Sequence, residues 1–153
     1  MKRIASFAVD HDKLKRGMYV SRIDGDVVTY DLRMKVPNAG DYLTNGALHT
    51  LEHLFATYAR NSALGDRVIY VGPMGCRTGF YFLLRDTVSR DEALALVRGC
   101  LDFAAGFEGT IPGSARQECG NYREHDLPGA KAEAEEMREV LRGWTAEKMR
   151  YEQ

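Results

Sequence analysis

The chain has no run of apolar residues as long as a membrane span. Its opening, MKRIASFAVDHDK, meets Asp10 before the apolar stretch could form the core of a signal peptide. A cytoplasmic protein is therefore expected. Cysteine is scarce: Cys76, Cys100 and Cys119 are odd in number and irregular in spacing, which excludes a disulfide framework and leaves the thiols free, metal-bound or reactive. Charge of one sign is also missing. Twenty-one Lys and Arg stand against 22 Asp and Glu, for a net charge of −1, and that balance argues against nonspecific nucleic-acid binding as the main activity. Repeats, low-complexity tracts and linkers are absent, so the 153 residues read as one domain over 1–153, large enough to bury a core without staples.

What is present is a mixture of strand and helix signals. VVTYDLRMKV, residues 27–36, alternates with period two. Val28, Tyr30, Leu32, Met34 and Val36 fall on one face, with Asp31, Arg33 and Lys35 on the other, as expected of a half-buried strand. Thr44-Asn45-Gly46 supplies helix-start chemistry before an apolar-periodic run over about 47–62. Residues 67–85 form two β-rich runs around Pro-Met-Gly-Cys, predicting a hairpin or sharp corner with Cys76 at its tip. Ser89 and Glu92 have capping-box spacing, so a second helix is predicted to about Phe107. Residues 109–129 read as a loop carrying Cys119. From Ala130 onward a terminal amphipathic helix is predicted, with Met137, Val140, Leu141, Trp144 and Met149 near helical spacing. The order strand, helix, two strands, helix, loop, helix predicts an α+β fold, a mostly antiparallel sheet with helices on one face.

The chemistry concentrates in HTLEH. On a helix His49, Glu52 and His53 stand at i, i+3 and i+4, so all three emerge on one face within a turn. Two imidazoles four apart can share one metal ion, and the carboxylate beside them can move protons. Leu48, Leu51, Leu54 and Phe55 bury much of the same helix, and polar groups beside that surface are costly unless something pairs with them. His-x-x-Glu-His also occurs in zinc peptidases, but so short a chain leaves little room for a peptide cleft. None of Glu118, Glu124, Glu133 and Glu135 is marked by its surroundings as the further ligand such an enzyme needs. Cys119, in the polar stretch ECGNYREHD, is the better third ligand, giving two histidines, a cysteine and an open position. Cys76 in PMGCRTG is the second thiol of interest, flanked by Gly75 and by Arg77, whose charge could lower its pKa. Cys100, within VRGCLDF, reads as core.

Five blocks, SFAVDH, DLRMKVPN, HTLEH, PMGCRTGFY and ECGNYREHDL, span Ser6 to about Leu127. In this order they resemble the S-ribosylhomocysteine lyase (LuxS) family of autoinducer-2 synthesis. The resemblance implies a bacterial cytoplasmic homodimer with its active sites at the interface, cleaving S-ribosylhomocysteine to homocysteine and 4,5-dihydroxy-2,3-pentanedione. It further implies His49, His53 and Cys119 as ligands of one divalent metal per subunit, ferrous iron in the active form and replaceable by zinc or cobalt. Glu52 and Cys76 match the family's acid–base pair, and Ser6, His11 and Arg33 its substrate contacts. One block departs: where many members read Asp-Ile-Ser before Pro-Met-Gly-Cys, this chain has Tyr70-Val71-Gly72, so a carboxylate and a hydroxyl near the thiol are missing. A metal-binding protein that kept the fold without the reaction is the alternative of a different class, and both Glu52 and Cys76, which it could have lost, are present.

Overall fold

The computed structural model describes residues 1–152. A short helix α1 (Ala5–Ala8) precedes strands β1 (Gly17–Asp24) and β2 (Val27–Arg33). Then follow helix α2 (Asn45–Asn61), strands β3 (Val68–Pro73) and β4 (Gly79–Arg85), and helices α3 (Arg90–Ala105) and α4 (Leu127–Val140). The four strands form one antiparallel sheet in the order β1-β2-β4-β3, and α2, α3 and α4 pack together against one face of it. The α+β class holds.

The core lies between sheet and helices. Met18, Tyr30, Leu32, Phe80, Phe82 and Leu84 project from the strands onto Leu51, Leu54, Phe55, Val97, Leu101 and Met137, all buried. Phe55 meets Phe80 edge-on, with ring centroids 5.1 Å apart. The helix starts follow their predicted chemistry. The Thr44 hydroxyl accepts from the Ala47 amide at the head of α2, and Ser89 and Glu92 close a reciprocal capping box on α3.

Several boundaries differ from expectation. Strand β1 has no clear alternation in the sequence, because its buried half is short and its end, Arg22 to Asp24, is exposed, Ile23 included. The strand predicted over 27–36 stops at Arg33, because the amides of both Met34 and Lys35 turn to the Thr78 carbonyl. Its second face is not solvated: Asp31, Arg33 and Lys35 are all buried, while Val36, assigned to the apolar face, is exposed. The last helix begins earlier, at Leu127, where the Asp126 side chain caps the Gly129 amide and Pro128 occupies the first turn. It also ends earlier, at Val140. Beyond it the chain turns at Gly143, held in the left-handed region, and crosses to the β1 edge. There the Trp144 indole donates to the Met18 carbonyl, and the Val20 amide donates to the Met149 carbonyl. Trp144 and Met149 are thus packed, but not by a helix.

Candidate metal centre and thiol corner

The middle of α2 carries the histidines. Thr44 fixes where the helix starts, so its periodicity sends Leu51, Leu54 and Phe55 inward and turns His49, Glu52 and His53 to the flank that faces residues 111–126. That loop orients both rings through backbone carbonyls. His49 Nδ1 donates to the Glu124 carbonyl and His53 Nδ1 to the Pro112 carbonyl, each at 2.8 Å. With Nδ1 carrying the proton, each Nε2 presents a lone pair, the arrangement in which a histidine binds a metal and a carbonyl sets its tautomer. Gly113 makes the approach possible. It sits at φ 69°, and a Cβ there would lie 3.2 Å from His53 Nδ1.

The loop also delivers Cys119, whose Sγ lies 3.4 Å from His49 Nε2. A third imidazole, His125, joins them. Donor atoms of His49, His53, Cys119 and His125 all fall within 4.8 Å of one another, so three of the chain's four histidines converge on one thiol. Soft sulfur with neutral imidazole suits zinc or ferrous iron, and the residues fit a divalent metal. The fourth member differs in posture. The ring of His125 stacks on that of His49, with centroids 4.0 Å apart and planes at 22°. Two rings stacked face to face do not both aim in-plane lone pairs at one ion, so the donors that could hold an ion together are His49, His53 and Cys119, with His125 as a wall beside them. Its Nδ1 lies 3.0 Å from the buried Thr50 hydroxyl, which also accepts from the Asp126 amide. Burial, together with His49 and His53, pushes the His125 pKa down. The sequence reading passed over His125; the available signal was a histidine six residues after Cys119 in a chain with only four.

Glu52 places a carboxylate oxygen 4.0 Å from His53 Nε2, on the side of the ring where the donors converge. It is partly exposed and lines a cleft with His53, Thr57, Tyr70, Pro112 and Gly113. The four glutamates weighed as alternative ligands are engaged elsewhere. Glu118 accepts from the Ala115 amide, Glu133 pairs with Lys35, Glu135 pairs with Arg138, and Glu124 gives only its backbone carbonyl.

Cys76 sits exposed at the β3–β4 corner, in a different environment. Its Sγ lies 3.0 Å from the Thr78 hydroxyl and 4.0 Å from Arg33 Nη1. Arg77, the expected neighbour, turns away: its backbone adopts φ 60°, its guanidinium lies over the Tyr42 ring and it donates to the Leu43 carbonyl. The cation beside the thiol is therefore Arg33. Arg33 is only 3% exposed, so it is not a solvated surface charge. It forks onto Asp31 at 3.2 and 2.7 Å and donates to Thr78 Oγ1 at 2.8 Å. Burial works against its charge, and the Asp31 carboxylate outweighs burial, leaving the pKa raised. Cys100, as expected, is core: it is fully buried, its thiol contacts the Phe55 carbonyl, and burial drives its pKa far up.

The remaining predicted positions lie elsewhere. Ser6 is in α1, and His11 folds its Nδ1 onto the Val9 carbonyl at 2.8 Å. Among the described contacts neither reaches the histidine cluster.

The sequence profile of the family described as S-ribosylhomocysteinase (LuxS) matches residues 4–148. An S-ribosylhomocysteine lyase of Porphyromonas gingivalis is 51% identical over 158 residues, covering 99% of this chain and 99% of its own. That of Phocaeicola vulgatus is 48% identical over 157 residues, covering 99% and 98%. That of Borreliella burgdorferi is 40% identical over 156 residues, covering 99% of each.

Proposed function

The chain belongs to the S-ribosylhomocysteinase (LuxS) family, and from that premise we propose that it is a metal-dependent lyase cleaving S-ribosylhomocysteine to homocysteine and 4,5-dihydroxy-2,3-pentanedione. The observation that carries the metal dependence is the convergence of His49 Nε2, His53 Nε2 and Cys119 Sγ, with both histidine tautomers set by backbone carbonyls. A divalent metal held there, ferrous iron in the active form with zinc or cobalt as substitutes, would supply Lewis-acid stabilisation of negative charge developing on the sugar oxygens.

The protein's own groups carry the proton traffic. The ribose carbonyl moves from C1 to C2 and then to C3 by two enolisations, each taking a proton from the carbon beside the carbonyl and returning one to the former carbonyl carbon, while a hydroxyl proton passes from the new carbonyl oxygen to the old one. The thioether then leaves from C5, β to the new ketone: C4 loses its proton, the C–S bond electrons go to sulfur, which is protonated to homocysteine, and the enol left at C4–C5 ketonises by taking a proton at C5 to give the diketone. No oxidant or reductant enters the balance. Cys76, beside Arg33, takes and returns the carbon protons, which the adjacent carbonyl acidifies enough for a side-chain base to remove. Glu52, at the rim of the cluster, moves protons among the oxygens and to the departing sulfur. Ser6, His11 and Arg33 contact substrate.

Ser6 and His11 lie apart from the cluster of their own chain, and Ile4 and Phe7 beside them expose apolar surface. Both facts support a homodimer in which active sites form at the interface. The cytoplasm is the proposed compartment, and among the described residues no helix is long and apolar enough to cross a membrane. The product would serve as the precursor of autoinducer-2 and the homocysteine would return to the methyl cycle.

The test is thiol release. Anaerobically purified, metal-loaded protein is mixed with S-ribosylhomocysteine and free homocysteine is followed with a thiol reagent. Release by wild type and none by Cys76→Ala is expected. Absence of release from metal-loaded wild type would return a peptidase or a purely metal-binding role to the front.

A further inference from the structure

The face of the sheet turned away from the helices holds a buried polar chain that the proposed reaction uses only at one end. Asp31 is fully buried and Arg33 nearly so, and beyond them the network runs outward to the segment following α4. The Tyr151 hydroxyl donates to Asp31 Oδ2 at 2.7 Å, the oxygen that also receives Arg33 Nη2 at 2.7 Å. The Tyr151 ring is held over the sheet by stacking on Tyr19, with centroids 5.1 Å apart and planes at 25°. Tyr19 in turn donates to the Lys15 carbonyl, and Met149, two residues before Tyr151, is locked to β1 through the Val20 amide. The contact is therefore anchored on both sides.

We propose that Tyr151 is a positioning residue for the reactive thiol: by donating to Asp31 it holds and partly neutralises that carboxylate, so that Arg33 keeps its guanidinium, and enough of its positive charge, at Cys76. The proposal rests on the reading of Cys76 as the acid–base thiol. Its physics is a competition. Asp31 at 2.7 Å and the Cys76 sulfur at 4.0 Å share one cation. Each hydrogen bond that Asp31 receives from another donor weakens its claim on that cation and lowers the negative potential at the sulfur. Tyr151 is the donor to Asp31 that comes from outside the strand, and its burial and its contact with Asp31 hold the phenol in its neutral, donating form. The other groups facing the thiol do not take over this role. Thr78, beside the sulfur, already receives Arg33 Nη1, and Arg77 points to Leu43. From β4, Tyr81 stands opposite Asp31 with its pKa raised by burial and then by Asp31, so it too remains neutral. Tyr19 is committed to Lys15.

The test reads the thiol, not turnover. Metal-loaded wild type, Tyr151→Phe and a chain ending at Arg150 are treated with limiting iodoacetamide from about pH 5 to about pH 9. Alkylation of Cys76 is then quantified by peptide mass spectrometry. Phenylalanine keeps the stacking on Tyr19, and equal melting temperatures of wild type and Tyr151→Phe confirm that packing survives. The expected result is a rise of about half to one pH unit in the midpoint of Cys76 alkylation in both variants. That corresponds to a threefold to tenfold slower reaction below the midpoint, with the same plateau above it. An unchanged midpoint in Tyr151→Phe overturns the proposal, including the case in which truncation alone moves it, since the effect would then belong to packing rather than to the hydroxyl. Homocysteine release assayed on the same wild-type sample keeps this outcome separate from failure of the lyase reading.

Discussion

The cluster on α2 and the network on the far face of the sheet are both assemblies of polar groups set against apolar core, yet they end differently. Around the histidines, protein contacts use up one nitrogen of each ring: Nδ1 of His49 and His53 goes to carbonyls and Nδ1 of His125 to Thr50. The Nε2 atoms of His49 and His53 and the Cys119 sulfur are left facing a common space, with the His125 ring beside it. On the sheet face the polar groups bond mainly to one another. Asp31 accepts two bonds from Arg33 and one from Tyr151, and Arg33 also reaches Thr78. The first arrangement offers an ion a set of donors that the protein itself does not pair. The second is held by its own bonds and keeps a positive charge beside a thiol. A centre that receives a ligand and a centre that holds a charge thus differ in which atoms the surrounding backbone leaves unpaired.

Pairing Cys76→Ala with Cys119→Ala puts that contrast to its largest test. Cys76→Ala is expected to lose turnover altogether while metal analysis still finds one ion per subunit. Cys119→Ala is expected to lose the metal first, and activity with it. Metal loss from Cys76→Ala would join the two regions into one coordination sphere. Next in size is Asp31→Ala, which strands a buried guanidinium and should cost about 3 to 5 kcal/mol of folding stability, read from urea denaturation. A cost below about 1 kcal/mol would mean that the pair is open to solvent. The smallest effect separates ligand from wall. His125→Ala should keep metal stoichiometry but weaken affinity by about 10-fold to 100-fold in chelator competition, the range for a supporting residue. The sulfur-to-metal charge-transfer band of the cobalt-substituted protein should keep its position. Loss of the ion would make His125 a ligand of equal standing.

Much of this was legible along the chain because it depends on short-range regularities. The i, i+3, i+4 spacing of His49, Glu52 and His53, the caps at Thr44 and Ser89, and the β3–β4 corner at Cys76 each follow from a few neighbouring residues, and the structure keeps all of them. Legibility failed where long-range packing decides. The burial of Asp31 and Arg33 contradicts the polar face that alternation assigned them. Strand geometry sends them to the far side of the sheet, where the segment after α4, more than a hundred residues later, reaches Asp31 through Tyr151. Arg77 was the natural neighbour of Cys76 by sequence, but its left-handed backbone turns the side chain toward Leu43, and β2 brings Arg33 in instead. The helix predicted to run on through Trp144 and Met149 failed for the same reason, since apolar periodicity cannot distinguish a helix face from a turn followed by a segment docked on a strand edge.

By itself the sequence determined which chemistry was available: two histidines one helical turn apart, a carboxylate between them, and two thiols in polar, glycine-containing surroundings, within blocks that carry the family. Only the tertiary structure decided which atoms of those residues are free to act. A ring nitrogen is left free to serve as a ligand when a carbonyl from a distant loop accepts the hydrogen bond from the other nitrogen, as Glu124 and Pro112 do for His49 and His53. A buried arginine becomes the companion of a thiol when a neighbouring strand and a tyrosine from the far end of the chain fix where its charge can point.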